Sequence, residues 1–358
     1  MNNIQCNSDI VELKWLPDEE LWEAKILHMV AGTGDMGRRE REELIRDKGP
    51  GAVYTQEEIV RAKIVCSCAG GFVEPNPWPR NVSGRANFKG EVCHTARWNP
   101  DLNLHDKNVL VLGTGCSAAQ VVPQLLKTPC QAKTVTQIMR SPPWVVPRPI
   151  PPIVGEQWWE QQSSRWFTRL PMLARLFRLA IFLMQEKVFF DIFPQTPRAS
   201  RKRADREEWL LSHLQNTVPK EYQNMLKPNY SVGCKRQIYD AYWFPSLRNS
   251  RIKLTTRPLI SVDEYSATLG SIQGNSEAID ADDESVSIPA DVIILANGFE
   301  IQTWFAPIRI IGKSNQEIHK VWDSRGGPQA YLGIAHDGFP NFFTIFGPNT
   351  ATGHSRYV

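Results

Sequence analysis

The amino-acid sequence predicts a mixed α/β fold, and three observations lead to this prediction. An apolar run, 108–112, leads directly into Gly-x-Gly-x-x-Ala at 113–118. Strand, tight turn and helix then follow in the order that a dinucleotide site requires. A second strand candidate, 132–139, follows the helix, and residues 155–227 are rich in helix formers. Together they predict a Rossmann-type domain with a parallel sheet and a helical insertion.

Each residue type in the glycine turn has a physical reason. Gly113 permits the sharp turn, and Gly115 leaves room for a pyrophosphate at the helix N-terminus, where free N–H groups favour anions. Ala118 replaces the third glycine and still allows close packing of helix and strand. An ordinary βα turn of small residues is the alternative interpretation. The candidate cofactor-binding residues are Gly113, Thr114, Gly115, Cys116, Ser117, Ala118, Ala119 and Gln120.

The end of the second predicted strand indicates which dinucleotide binds. A site for NAD carries Asp or Glu there, to hold the ribose 2′-hydroxyl. This chain has Arg140 followed by Ser141. A cation beside a hydroxyl suits a 2′-phosphate, so we predict NADP(H) as the cofactor. The alternative for Arg140 is a solvated charge at the end of a strand.

Composition excludes several classes of protein. The 358 residues leave room for two domains, and 42% hydrophobic with 22% charged residues is typical of a globular protein. A net charge of +3 does not indicate a nucleic-acid partner. The seven cysteines form no C-x-x-C pair, which argues against a metal site and a secreted disulfide framework. The polar start, 2–9, lacks the apolar core of a signal peptide, so we predict a cytoplasmic location.

The domain organisation is predicted from a linker and two similar strands. A proline-rich stretch, 75–79, marks a boundary. The segments 62–71 and 290–299 are both apolar strands that end in small-residue turns. Residues 10–16 and 21–29 read as two strands joined by the turn residues 17–20, and 56–61 reads as a short helix. We therefore expect residues 1–100 and 290–358 to form one unit and 104–289 to form the other.

Four different motifs along the chain resemble those of a known protein family. They are Phe-x-Gly-x-x-x-His-x-x-x-Trp at 88–98, the glycine turn at 113–120, Lys235-Arg236, and the paired turns at 295–300 and 347–349. With these motifs the chain resembles the class B flavin-dependent monooxygenases, and among them the type I Baeyer–Villiger monooxygenases. Two positions depart from the family pattern: Asn99 stands where Pro or Asp is usual, and Asn297 where Thr is usual.

The resemblance implies an enzyme that uses NADPH, FAD and O2 to insert one oxygen into a ketone, a small-molecule substrate, through a flavin peroxide. It implies that Arg236 is catalytic and stabilises the negative charge of the peroxide and its adduct. Lys235 would share the 2′-phosphate with Arg140 and Ser141. Asn297, Gly298 and Asn349 would lie at the flavin. An N- or S-oxygenating flavin enzyme and a non-catalytic NADP-binding remnant are the alternatives.

The family's first glycine motif, which binds FAD, has no clear counterpart before residue 70. Residues 32–37 have the letters Gly-x-Gly-x-x-Gly, but 27–31 is a poor strand and 38–41 offers no apolar helix face. We interpret 32–37 as a surface loop. The resemblance therefore implies a partial FAD-type domain in an N-terminally truncated chain, and weak or absent FAD binding by these residues.

One segment, 170–193, is apolar enough to raise the question of a membrane. Its longest unbroken apolar run, 179–184, is far too short to span a bilayer. Apolar residues at 173, 176, 177, 180, 181 and 184 share one helical face, so we expect a helix packed onto its domain. A basic helix lying on a membrane surface is the alternative that we do not favour.

Overall fold

The computed structural model describes residues 4–147, 156–240, 242–271, 285–301 and 304–350. The strands are β1 (Ser8–Leu16), β2 (Leu21–Met29), β3 (Tyr54–Ala62), β4 (Val65–Ser67), β5 (Glu91–His94), β6 (Asn108–Leu112), β7 (Thr134–Ile138), β8 (Val145–Pro147), β9 (Ile238–Asp240), β10 (Ile252–Thr255), β11 (Leu259–Asp263), β12 (Ser266–Leu269), β13 (Val286–Pro289), β14 (Val292–Leu295), β15 (Arg309–Ile311), β16 (Ala335–His336) and β17 (Phe339–Thr344). The helices are α1 (Arg38–Lys48), α2 (Cys116–Leu125), α3 (Glu156–Arg169), α4 (Pro171–Ile192), α5 (Pro197–Thr217), α6 (Lys220–Leu226), α7 (Trp243–Ser246) and α8 (Ile318–Ser324).

The described residues divide into two units. Unit 1 ends at Pro77 and resumes at Gly298, and unit 2 comprises Trp78–Asn297. The chain thus passes between the units twice, but the boundaries differ from the expected ones. The expectation that 290–299 shares a unit with 62–71 is wrong, and 91–94 also belongs to unit 2.

The parallel sheet of unit 2 explains this correction. Its strand order is β10-β7-β6-β14-β5, and every neighbouring pair is parallel. All four residues of β14 are buried, and its backbone pairs with β6 on one side and β5 on the other. A buried strand needs a hydrogen-bonding neighbour along both edges, and β6 and β5 supply them. The predicted α/β fold with a parallel sheet is confirmed.

Both faces of this sheet are covered, which explains the unbroken apolar run in β6. Val109 and Val111 pack in the cluster that includes buried residues of α2 and α7. Leu110 and Leu112 point to the other face, where they pack against the antiparallel sheet β11-β12-β13. Alternate residues of one strand therefore enter two different cores.

The helical insertion is present where the sequence predicts it. Helices α3, α4, α5 and α6 follow one another from Glu156 to Leu226. The start of the insertion, 148–155, lies outside the described residues. Leu210 and Leu214 anchor α5 in the interior of unit 2.

Helix α4 does not pack as expected. Leu173, Leu176 and Met184, which belong to the predicted buried face, are exposed, and Ile192 is the buried residue of the helix. The packed face of α4 lies about 180° around the helix from Met172 and holds Phe177, Val188 and Ile192. In the described part of the chain, no helix has the length and apolar character needed to cross a bilayer.

Unit 1 is built on an antiparallel meander. The strand order of its larger sheet is β15-β1-β2-β3, and β1 and β2 form the predicted hairpin. Residues 56–61 are not a helix, because they pair with β2 as the edge strand β3. Their charges form cross-strand ion pairs, such as Lys25–Glu57 at 2.7 Å, which is typical of an exposed sheet edge.

The interior of unit 1 is aromatic. A second small sheet has the order β16-β17-β4, and β4 is only partly buried rather than the buried strand expected over 62–68. The core packs two tryptophans from the hairpin against aromatic side chains of the later segment. It includes Trp15, Trp22, Phe305, Trp322 and Phe342.

Candidate dinucleotide-binding site

The glycine turn is built as the sequence predicts. Strand β6 ends at Leu112 and α2 begins at Cys116. Gly113 has φ of 120°, and a Cβ there would lie 2.5 Å from the carbonyl oxygen of Ala296. Only glycine suits this position, on conformational and on steric grounds. Gly115 differs, because its φ is −76° and a Cβ would meet nothing within 4 Å. The space beside Gly115 is open to a ligand.

The N-terminus of α2 is free to receive an anion. Its N-cap is Gly115, and no side chain of the described residues caps the first turn. The N–H groups of the first helical turn have no partner within the helix, so a bound phosphate can accept from them. Ala118 and Ala119 are buried, which brings the helix close to the sheet.

A buried glutamine holds the turn in place, and the sequence analysis missed it. Gln137 of β7 is fully buried, and its Nε2 donates to the carbonyl oxygen of Gly113 at 2.9 Å. Its Oε1 accepts from Nε1 of Trp243 at 2.8 Å. The signal that could have identified it is a polar amide at an inward position of an apolar strand, since such a group needs partners.

The residues predicted for the 2′-phosphate lie at the end of β7. Arg140 is exposed there, and the carbonyl oxygen of Ser141 accepts from the Thr114 hydroxyl at 3.2 Å. The structure brings Lys235 to the same place, because its Nζ donates to Oγ of Ser141 at 3.3 Å. The glycine turn and the predicted 2′-phosphate residues are thus adjacent.

The ring of Tyr230 contacts the Lys235 side chain. The Lys235 ammonium lies 4.5 Å from the centre of the Tyr230 ring, a cation–π arrangement. The Tyr230 phenol donates to the carbonyl oxygen of Pro142 at 2.8 Å. Burial raises the pKa of Tyr230, so the phenol stays protonated and keeps donating. Tyr230 is the second residue that the sequence analysis missed.

A pocket of about 380 Å³ opens beside the helix N-terminus. Cys116 and Gln120 of α2 line one side, and Lys235 and Arg236 line another. Arg236, the predicted catalytic residue, is therefore in the same pocket as the dinucleotide residues. Its side chain is exposed rather than enclosed in the water-poor surroundings that the prediction assumed.

The residues that line this pocket do not include those predicted to face a flavin. Asn297 follows β14 at the end of unit 2. In unit 1, Gly298 has φ of 89°, and its carbonyl oxygen accepts from the Asn76 N–H at 2.9 Å. Asn349 is exposed, and its Nδ2 donates to the carbonyl oxygen of Pro328 at 3.2 Å.

No protein-family profile matches the chain. The chain is 30% identical over 299 residues to a Baeyer-Villiger monooxygenase of Pseudomonas aeruginosa, an alignment that covers 83% of this chain and 51% of that protein. It is 28% identical over 358 residues to the FAD-binding monooxygenase ktnD of Aspergillus niger, covering 99% of this chain and 51% of that protein.

The chain is homologous to the Baeyer–Villiger monooxygenases. The family resemblance that its motifs carry is thereby confirmed. The fold agrees, because a crystal structure of oxidized steroid monooxygenase bound to NADP superposes with a TM-score of 0.64 at 20% identity, over 94% of this chain and 61% of that one. The chain spans about half the length of the curated relatives that it matches.

Proposed function

We propose that unit 2 binds NADP(H) and serves the nicotinamide half of a flavin-dependent Baeyer–Villiger reaction, in which a ketone and O2 are the substrates. One observation carries the proposal. Lys235 lines the pocket at the uncapped N-terminus of α2 and also donates to Ser141 at the end of β7. A single cation thus connects the place for a pyrophosphate with the place for a 2′-phosphate.

The residues present fit this dinucleotide. The open space at Gly115 and the free N–H groups of α2 would receive the pyrophosphate. Arg140, Ser141 and Lys235 would hold the 2′-phosphate through charge-assisted hydrogen bonds. Bound NADPH supplies a hydride, and the protein supplies position and charge. The names of the relatives favour oxygen insertion into a ketone over N- or S-oxygenation.

The described part of unit 1 does not offer FAD a comparable cradle. One cavity of unit 1, of about 250 Å³, lies beside Gly70 and Gly71. Its lining contains four carboxylates (Asp9, Glu42, Glu74 and Glu300) and two arginines (Arg38 and Arg41), so negative charge prevails there and disfavours a pyrophosphate. At the start of α1 the backbone N–H of Gly37 donates to Glu40 at 2.8 Å, so one of the protein's own carboxylates already occupies that helix N-terminus. We therefore propose that these residues alone hold FAD weakly, and we derive no reaction step through it.

Replacing Arg140 tests the dinucleotide assignment. Arg140→Ala should weaken NADPH binding by about 1–3 kcal/mol, the range for a lost hydrogen bond to a charged group, and leave NADH binding almost unchanged. Titration of intrinsic tryptophan fluorescence with each cofactor measures both affinities. The matched control is Lys133→Ala, which removes an exposed cation immediately before β7. Equal weakening of both cofactors would contradict the assignment.

Replacing Arg236 tests its catalytic role. A cation helps most where negative charge develops, so Arg236→Ala should leave NADPH-dependent reduction of added FAD intact and abolish ketone conversion. Stopped-flow absorbance and product analysis separate the two steps. If wild-type chain with added FAD neither oxidises NADPH nor converts ketones, the remnant alternative holds. Purification with stoichiometric FAD, visible in the absorbance spectrum, would overturn the proposal of weak flavin binding.

A further inference from the structure

Helix α4 carries an apolar stripe that the protein leaves uncovered. Met172, Leu176, Leu179 and Leu183 follow one another at helical spacing, and Phe190 lies on the same side two turns further on, beyond Glu186 and Lys187. The five apolar side chains are 51–66% exposed. The positions share one side of the helix because they repeat near its 3.6-residue period. Scattered exposed leucines are ordinary, whereas a continuous stripe of large apolar side chains marks an interaction surface.

This stripe is separate from the face by which α4 is held in unit 2. Phe177 packs against Trp159 and Phe167 of α3, with ring centres 5.2 and 5.4 Å away. Val188 and Ile192 join a core cluster at the C-terminal end of the helix. The attachment of α4 therefore leaves the outward stripe free.

Charge around the stripe indicates what covers it. Helices α3 and α4, from Glu156 to Ile192, contain five Lys and Arg residues and four acidic residues. The five cations, at 165, 169, 175, 178 and 187, are all exposed, whereas Glu186 and Asp191 are partly buried. Arg175 and Arg178 both lie on one side of the stripe, and both are exposed. Long cationic side chains beside an apolar stripe suit a bilayer surface, because they reach the phosphates while the stripe enters the acyl boundary.

Helix α3 carries two exposed tryptophans, a residue type that favours the membrane interface. Trp158 and Trp166 are 47% and 49% exposed, and the exposed Arg165 and Arg169 lie on the same side of the helix by spacing. Tryptophan favours the boundary between headgroups and acyl chains, since its ring is apolar and its N–H is polar. The two helices together thus present apolar, aromatic and cationic groups.

We propose that α3 and α4 dock this protein on an anionic lipid bilayer, lying on its surface without crossing it. The proposal is independent of the dinucleotide site. A second copy of the chain is the less suitable occupant, because two such surfaces face to face would bring like charges together.

Vesicle co-sedimentation tests the proposal with the full chain. The vesicles are phosphatidylcholine alone or phosphatidylcholine with about a third phosphatidylserine. Wild type should bind the anionic vesicles, release in high salt, and bind neutral vesicles much less. L179S/L183S should lower the bound fraction roughly tenfold, and R175Q/R178Q should lower it less and reduce its salt dependence. Far-ultraviolet circular dichroism checks that each variant remains folded.

The matched control is I59S/I64S, which removes two similarly exposed isoleucines (50% and 59%) from unit 1. It should bind like wild type. Absence of vesicle binding, or equal binding by L179S/L183S, would overturn the proposal. So would concentration-dependent self-association that L179S/L183S abolishes without any vesicle binding, which would assign the stripe to a second copy.

Discussion

Two stretches of this chain share the sequence Gly-Thr-Gly but have different structures. Residues 113–118 read Gly-Thr-Gly-Cys-Ser-Ala, and residues 32–37 read Gly-Thr-Gly-Asp-Met-Gly. The first follows a buried strand in the middle of a parallel sheet, and a helix begins immediately after its second glycine. The second follows the antiparallel strand β2, and its helix begins only after Gly37.

The two helix N-termini differ in what they offer a ligand. At α1 the Gly37 N–H donates to Glu40 at 2.8 Å, and the Arg38 N–H donates to Glu74 at 3.2 Å. The protein's own carboxylates thus occupy the place where an anion would bind. At α2, within the part of the chain that the structure describes, no side chain caps the first turn. A glycine motif indicates a phosphate site only where the helix that follows it is left open.

Adding a methyl group at the first glycine of each stretch tests most directly whether the two turns are equally constrained. Gly113→Ala should lower the free energy of unfolding by about 3 kcal/mol or more, because it adds backbone strain and a clash with Ala296. Gly32→Ala, with φ of 86° and open space around it, should cost about 1 kcal/mol. Urea unfolding followed by tryptophan fluorescence measures both. Similar costs would show that the two turns are equally constrained.

The second glycines separate binding from folding. Gly115→Ala should lower NADPH affinity at least tenfold, about 1.4 kcal/mol, because the methyl group occupies the space proposed for the pyrophosphate. Its free energy of unfolding should change little, since nothing lies within 4 Å of the new Cβ. Gly34→Ala is the control and should leave NADPH affinity unchanged. Unaltered NADPH binding by Gly115→Ala, measured by calorimetry, would remove the turn from the site.

The pH dependence of the free energy of unfolding should distinguish a histidine of unit 1 from one of unit 2. His336 in unit 1 is buried among aromatic rings, and burial lowers its pKa. Burial also lowers the pKa of His213 in unit 2, although Asp240 opposes the shift. The unfolded chain therefore binds protons more readily, so stability is lost as the pH falls below about 6.5.

His336 should account for the larger part of this loss, because its ring is the more buried of the two. Urea unfolding at a series of pH values should show a flatter dependence in His336→Gln, and a smaller change in His213→Gln. The exposed His105→Gln is the control and should keep the wild-type dependence. The same slope in His336→Gln as in wild type would contradict the prediction.

Prediction from the sequence succeeded where the determining interactions are local. The β1–β2 hairpin, the strand–turn–helix at 107–126 and the helices of 156–226 depend on spacing within a few residues. It failed where partners come from far along the chain. Residues 56–61 contain helix formers, yet pairing with β2 makes them a strand. Tertiary context outweighs intrinsic propensity at such a position.

The site shows the same division. Gly113 and Gly115 were identifiable because a turn has a local residue requirement. Gln137 was not, because its two partners, Gly113 and Trp243, are 24 and 106 residues away.

By itself, the sequence determined that an apolar strand enters a glycine turn and a helix, and that α4 is apolar with cations at its edge. The tertiary structure decided what those surfaces meet. It inserted β14 between β6 and β5, and it held α4 by one face and left its other face in solvent. Periodicity specifies which side of an element is apolar, but the partner is chosen by hydrogen bonds and contacts between residues distant in sequence.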